Sequence, residues 1–111
     1  MKYVNKPWGH EEIWAHTDKY VAKILFIKAG HSLSRQYHEV KEETLRIEEG
    51  VMSLELGRDD DIETKTLRPG DIFHVPPGVV HRMTAIRNVR VYEVSTPELD
   101  DVVRLEDDYG R

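Results

Sequence analysis

The chain has no cysteine, so neither a disulfide framework nor a thiolate metal site is available to it. It has no excess of positive charge either: 16 Lys and Arg stand against 21 Asp and Glu, a formal net charge of −5. That balance argues against a general nucleic-acid or membrane-surface binder, both of which need a basic face. No apolar stretch approaches the ~18 residues of a membrane span, and the opening MKYVNKPWGHEEIW lacks the apolar run of a secretory leader. A cytoplasmic location is the expectation these absences leave. Helical periodicity is scarce too, with only part of the acidic segment 98–110 offering it. At 111 residues and 39% hydrophobic content, the chain is sized for a single domain covering 1–111.

What is present is regular punctuation. Turn-forming residues fall at 7–9, 29–30, 50, 57–61, 68–70, 76–78 and 87–88. Between them lie short runs rich in Val, Ile, Leu, Tyr and Phe, which predict strands at 20–29, 44–49, 51–56, 62–67, 71–75, 81–86 and 89–95. Strands this short and this evenly spaced point to an all-β sandwich or barrel. The acidic run at 58–61 reads as a solvated hairpin tip. Lys23 interrupts an otherwise apolar strand, so it either snorkels to an edge or faces a polar cavity.

Two polar clusters stand out. Gln36 and His38 are two apart and share one face of an extended chain. Glu43 follows His38 by five residues and joins that face only if the charged stretch between them turns. Alternation with Leu45 and Ile47 places Glu43 inside and Glu42 outside. The second cluster runs from Gly70 through five residues to Pro76, Pro77 and Gly78, then two more to His81. A polar strand face at a sheet edge is the plain alternative for each of these groups.

Both clusters resemble the two motifs of the cupin superfamily. The first usually reads glycine, five residues, His-x-His, three or four residues, Glu, six residues, Gly; the second reads glycine, five residues, Pro-x-Gly, two residues, His, three residues, Asn. Here Gln36 stands at the first histidine and Ala85 at the asparagine. Gln-x-His followed by Glu and His resembles the ligand set of phosphomannose isomerases, whose bifunctional relatives carry the isomerase as a C-terminal cupin domain. The stretches KPWGHEEIW (6–14), VAKILFIKAGHSLSRQYH (21–38) and ELDDVVRLEDDYGR (98–111) resemble those domains as well.

The resemblance implies an all-β double-stranded β-helix, or jelly-roll barrel, and a homodimer. It also implies a metal site of Gln36, His38, Glu43 and His81. An amide oxygen, two imidazole nitrogens and one carboxylate suit Zn²⁺ first, with Mn²⁺, Fe²⁺, Co²⁺ or Ni²⁺ as alternatives. The implied activity is aldose–ketose isomerisation of a sugar phosphate such as mannose 6-phosphate. Two other readings stay open: a different metal-cupin enzyme (oxygenase, lyase or epimerase), or a metal- and saccharide-binding barrel without turnover.

By the same resemblance Glu93 and Lys23 are the candidate catalytic residues. Lys23, Arg82 and Arg104 are candidate substrate contacts, and Arg111 is a candidate for the barrel mouth. A surface salt bridge is the ordinary fate of each arginine. Alternation turns His74 away from Phe73 and Val75, towards a structural or interfacial role. His10, His16 and His31 fit no ligand pattern and read as surface residues. Trp8 and Trp14 are expected to pack the N-terminal segment against the barrel rather than line a sugar site.

Overall fold

Residues 1–110 are described by a computed structural model. Eleven strands form two antiparallel sheets that face one another, and no helix occurs among the described residues. The six-stranded sheet runs β1 (Lys2–Lys6), β2 (Gly9–His16), β3 (Val21–Ile27), β10 (Val89–Ser95), β5 (Glu43–Glu49) and β8 (Ile72–Val75). The five-stranded sheet runs β11 (Val103–Glu106), β4 (Arg35–Tyr37), β9 (His81–Ala85), β6 (Met52–Leu56) and β7 (Glu63–Leu67). This is the jelly-roll arrangement expected above.

All seven anticipated strands form, each within two residues of its expected ends. The extended stretch read at Gln36 is β4, and three further strands were not anticipated: β1, β2 and β11. The helical reading of the acidic segment is corrected by β11, which pairs with β4. Its Val103-x-Leu105 alternation and the open edge of β4 outweigh a weak helical pattern, because pairing there satisfies backbone groups that would otherwise be left unpaired. The acidic run at 58–61 is the tip of the β6–β7 hairpin, as expected.

Strand alternation fills the space between the sheets. Leu25, Ile27, Leu45, Ile47, Val75 and Val91 point inward from one sheet and Met52, Leu54 and Met83 from the other, all essentially buried. The inward set changes character along each strand. β10 goes from Val89 and Val91 to Glu93 and Ser95, and β5 goes in the reverse sense from Glu43 to Leu45 and Ile47. One end of the interior is therefore a dry core. The other is a polar cavity whose groups stay positioned because the apolar end fixes the register.

Trp8 joins the core at 2% exposure, as expected for the N-terminal segment. Trp14 does not. It is 60% exposed, at a register shift in the β2–β3 ladder between Ile13 and Ala15. A bulge re-aims the side chain it displaces.

Candidate metal centre

The polar end is assembled from both sheets. Cross-strand pairing sets Gln36 of β4 directly opposite His81 of β9 on one side and Arg104 of β11 on the other. Directly opposed residues project to the same face, so all three point into the barrel. His38 follows β4 immediately, and Glu43 opens β5 on the facing sheet. Glu42 turns outward to pair with exposed His74, confirming the in/out alternation read for both.

His38, Glu43 and His81 converge. Nε2 of His38 lies 3.2 Å and Nε2 of His81 lies 3.3 Å from the same Glu43 oxygen. All three side chains are buried, and their ligating atoms lie within 4.8 Å of one another. The other ring nitrogens are committed: His38 Nδ1 donates to the Asp101 carbonyl at 2.5 Å and His81 Nδ1 to the Val79 carbonyl at 2.9 Å. A carbonyl can only accept, so each Nδ1 carries a hydrogen and each ring turns its Nε2 towards the Glu43 carboxylate. Two imidazole nitrogens and one carboxylate oxygen gathered in one buried site are groups that ligate divalent ions. The donor set therefore fits a divalent ion. Gln36 lines the same cavity, and its amide nitrogen donates to Ser34 Oγ at 3.0 Å, which leaves its carbonyl oxygen as the available ligand atom.

Behind the triad a buried charge ladder runs up the six-stranded sheet. Glu11 meets Lys23 at 3.5 Å, Lys23 meets Glu93 at 3.6 Å, Glu93 meets Lys41 at 3.3 Å and Lys41 meets Glu43 at 3.5 Å. Lys23 thus faces the cavity rather than an edge. Burial would raise the Glu43 carboxyl, but hydrogen bonds from His38 and His81 and the charge of Lys41 hold it well below the usual range. Glu93 moves oppositely: burial, then the negative charge of Glu43, push it up to about 7. Burial works against the charge on Lys41, yet Glu93 and Glu43 raise it overall. Two carboxyls side by side are driven apart, one ionised and one poised to exchange a proton at neutral pH.

The cavity encloses about 230 Å³ and brings together Lys23, Gln36, His38, Glu43, His81, Glu93 and Arg104 from the sequence reading. Arg82 is not among its lining residues. Its guanidinium donates to the Leu33 carbonyl and pairs with Glu106 and Asp108 on the outer face of the five-stranded sheet, because one-residue alternation from His81 turns it outward. Arg111 lies outside the described residues. Sequence reasoning missed Lys41, Asp101 and Glu11. Lys41 sits in a turn where strand alternation gives no direction, and Asp101 is one acid in an acidic run, so neither carries a local signal.

The cupin domain family model matches residues 23–95. The chain is a cupin. Over 113 aligned residues, 97% of this chain, it is 31% identical to the mannose-1-phosphate guanylyltransferase of Escherichia coli strain K12. It is 29% identical, over the same share, to mannose-1-phosphate guanylyltransferase ManC of Salmonella typhimurium strain LT2. In both cases this cupin spans only 23% of the relative's length. Among solved structures, KdgF from Halomonas sp. superposes with a TM-score of 0.76 over 90% of this chain and 89% of that one, at 21% identity. That likeness concerns the fold.

Proposed function

We propose that this cupin is a metal-dependent sugar-phosphate isomerase interconverting an aldose and a ketose, such as mannose 6-phosphate and fructose 6-phosphate. The observation that carries the reading is the pairing of a cation-ready His38–Glu43–His81 triad with a buried carboxyl at Glu93 poised about 7. Support for the sugar comes from relatives named for mannose 1-phosphate, of which this chain matches one part.

In this reading Gln36, His38, Glu43 and His81 hold the ion, with Zn²⁺ the first candidate. A divalent cation there supplies a Lewis acid, and the set's single carboxylate leaves it about one unit of positive charge. Glu93 acts as the base that removes the proton beside the carbonyl and returns it to the carbonyl carbon, while the hydroxyl proton passes to the former carbonyl oxygen. A carboxyl near 7 gives and takes a proton with little driving force either way, as a reversible transfer requires. Lys41 and Lys23 flank Glu93 and balance its charge when it ionises. Arg104 shares the ligand face, and its planar fork suits a phosphate. The reaction only relocates protons, so no oxidant or reductant is involved.

The test is metal analysis of the purified chain, followed by an assay of mannose 6-phosphate and fructose 6-phosphate interconversion with and without chelator. Chelation and His81→Ala should each remove turnover, and His81→Ala should also remove the bound metal. Turnover that survived His81→Ala would sink the reading. Sugar-dependent thermal stabilisation without any conversion would make the barrel a binding module.

A further inference from the structure

Both rows of side chains that build the site run on to a sheet edge. In the six-stranded sheet the inward row Leu45, Glu93, Lys23 and Ile13 ends on Lys2 of β1. In the five-stranded sheet the row Leu56, His81 and Gln36 ends on Arg104 of β11. β1 and β11 are edge strands of their sheets, and residues of both line the cavity. The mouth therefore has one lip from each sheet, and each lip carries a cation level with the site.

Those cations are not consumed within the chain. Deeper in, Glu11, Lys23, Glu93, Lys41 and Glu43 satisfy one another in the buried ladder. Lys2 and Arg104, with Lys6 further along β1, have no ion-pair or side-chain hydrogen-bond partner among the described residues. Asp100 is the acid of the lining that lies outside the ladder. Three cations against one acid leave the mouth a surplus of about two positive charges, in a chain whose formal net charge is −5. A phosphate monoester carries roughly −1.5 to −2 at neutral pH and matches that surplus, whereas a carboxylate carries half of it.

We propose that Lys2 and Arg104, with Lys6 beside them, form a phosphate clamp across the cavity mouth. The monoester end of the substrate stays between the lips while its carbonyl end reaches the His38–Glu43–His81 triad. This rests on the sugar-phosphate reading above and adds which end enters first and what rejects the unphosphorylated sugar. Arg104 offers a planar fork to two phosphate oxygens, and the lysines offer point charges on stems long enough to follow the anion. Lys23 is not a jaw of this clamp, because its charge is already divided between Glu11 and Glu93. The strand that supplies Lys2 thereby does more than cover the barrel: it sets the specificity for the charged end of the substrate.

Inorganic phosphate, titrated into the isotope-labelled full chain with chelator present and followed by NMR, tests the clamp apart from ion binding and turnover. The expected result is saturable shifts of the backbone amides of β1 and of residues 102–104. Lys2→Gln and Arg104→Gln should each weaken that binding on the order of fivefold, since each removes a charge-assisted contact from an exposed lip. Acetate over the same range should bind more weakly than phosphate. Both side chains are exposed and unpaired, so both variants should melt as the unaltered chain does. With turnover as the readout, each should raise KM for mannose 6-phosphate more than it lowers kcat. No phosphate binding, binding indifferent to both changes, or acetate held as tightly would each overturn the clamp. Phosphate bound as expected without any sugar conversion would uphold the clamp and count against the isomerase reading alone.

Discussion

Asp101 grips His38 and the residues after it with two different groups. Its main-chain carbonyl accepts His38 Nδ1–H at 2.5 Å, while its carboxylate accepts the backbone N–H groups of Glu39, Val40 and Lys41 at 2.7–3.1 Å. One residue from the C-terminal segment thus fixes a ring tautomer and the loop that carries it.

Asp101→Ala removes the carboxylate and leaves the carbonyl. The expected results are faster hydrogen exchange at the amides of 39–41 and metal affinity lowered by about tenfold, the lower range for outer-shell partners. The backbone N–H groups, that of Lys41 foremost, hold the Asp101 carboxyl below its ordinary range. Its stabilisation is therefore present above the unfolded-state value and lost as pH falls through the folded one. Melting temperatures across an acid series should fall less steeply for Asp101→Ala than for the unaltered chain.

Glu93 gives the opposite slope. Its folded value of about 7 lies above the ordinary 4.5, so the protonated form favours folding below the ordinary range. That contribution, on the order of 3 kcal/mol, fades as pH rises through neutrality. In metal-free protein, denaturant midpoints should drop between mildly acid and mildly alkaline pH, and Glu93→Gln should flatten that drop. An unchanged slope in Glu93→Gln would show that another group is responsible.

Two glycines with similar backbone angles should respond differently to alanine. Gly50 at φ +88 would place a Cβ 2.1 Å from the Asn88 carbonyl oxygen, whereas Gly70 at φ +91 has open space there. Gly70→Ala carries only the left-handed backbone penalty, about 1 kcal/mol. Gly50→Ala adds a clash with main chain that cannot swing away, so it should cost several-fold more in urea unfolding. Equal losses would contradict the close approach.

Arg82→Ala should leave metal content and sugar-phosphate affinity unchanged. Its partners Glu106 and Asp108 are more than half exposed, so the stability loss should stay near ~1 kcal/mol. A rise in KM for a phosphorylated sugar would return Arg82 to the substrate site.

The barrel was legible because alternation and turn spacing are local signals. β5, β6, β9 and β10 announce themselves in a few residues each. The cluster of His38, Glu43 and His81 was legible through the resemblance of both polar stretches to the cupin motifs, which also implied Gln36 as a ligand. What escaped depends on pairings distant in sequence. β11 exists because β4 offers it an edge, and Lys41 is held in the cavity beside Glu93, 52 residues away. No window of sequence contains both halves of any of these.

Asp101 ties the C-terminal segment to the loop that carries His38, so the polar end of the barrel is closed by residues that follow both histidines in the chain. A truncation ahead of residue 101 would remove that clasp together with β11 and leave the His38 ring without the acceptor of its Nδ1 hydrogen.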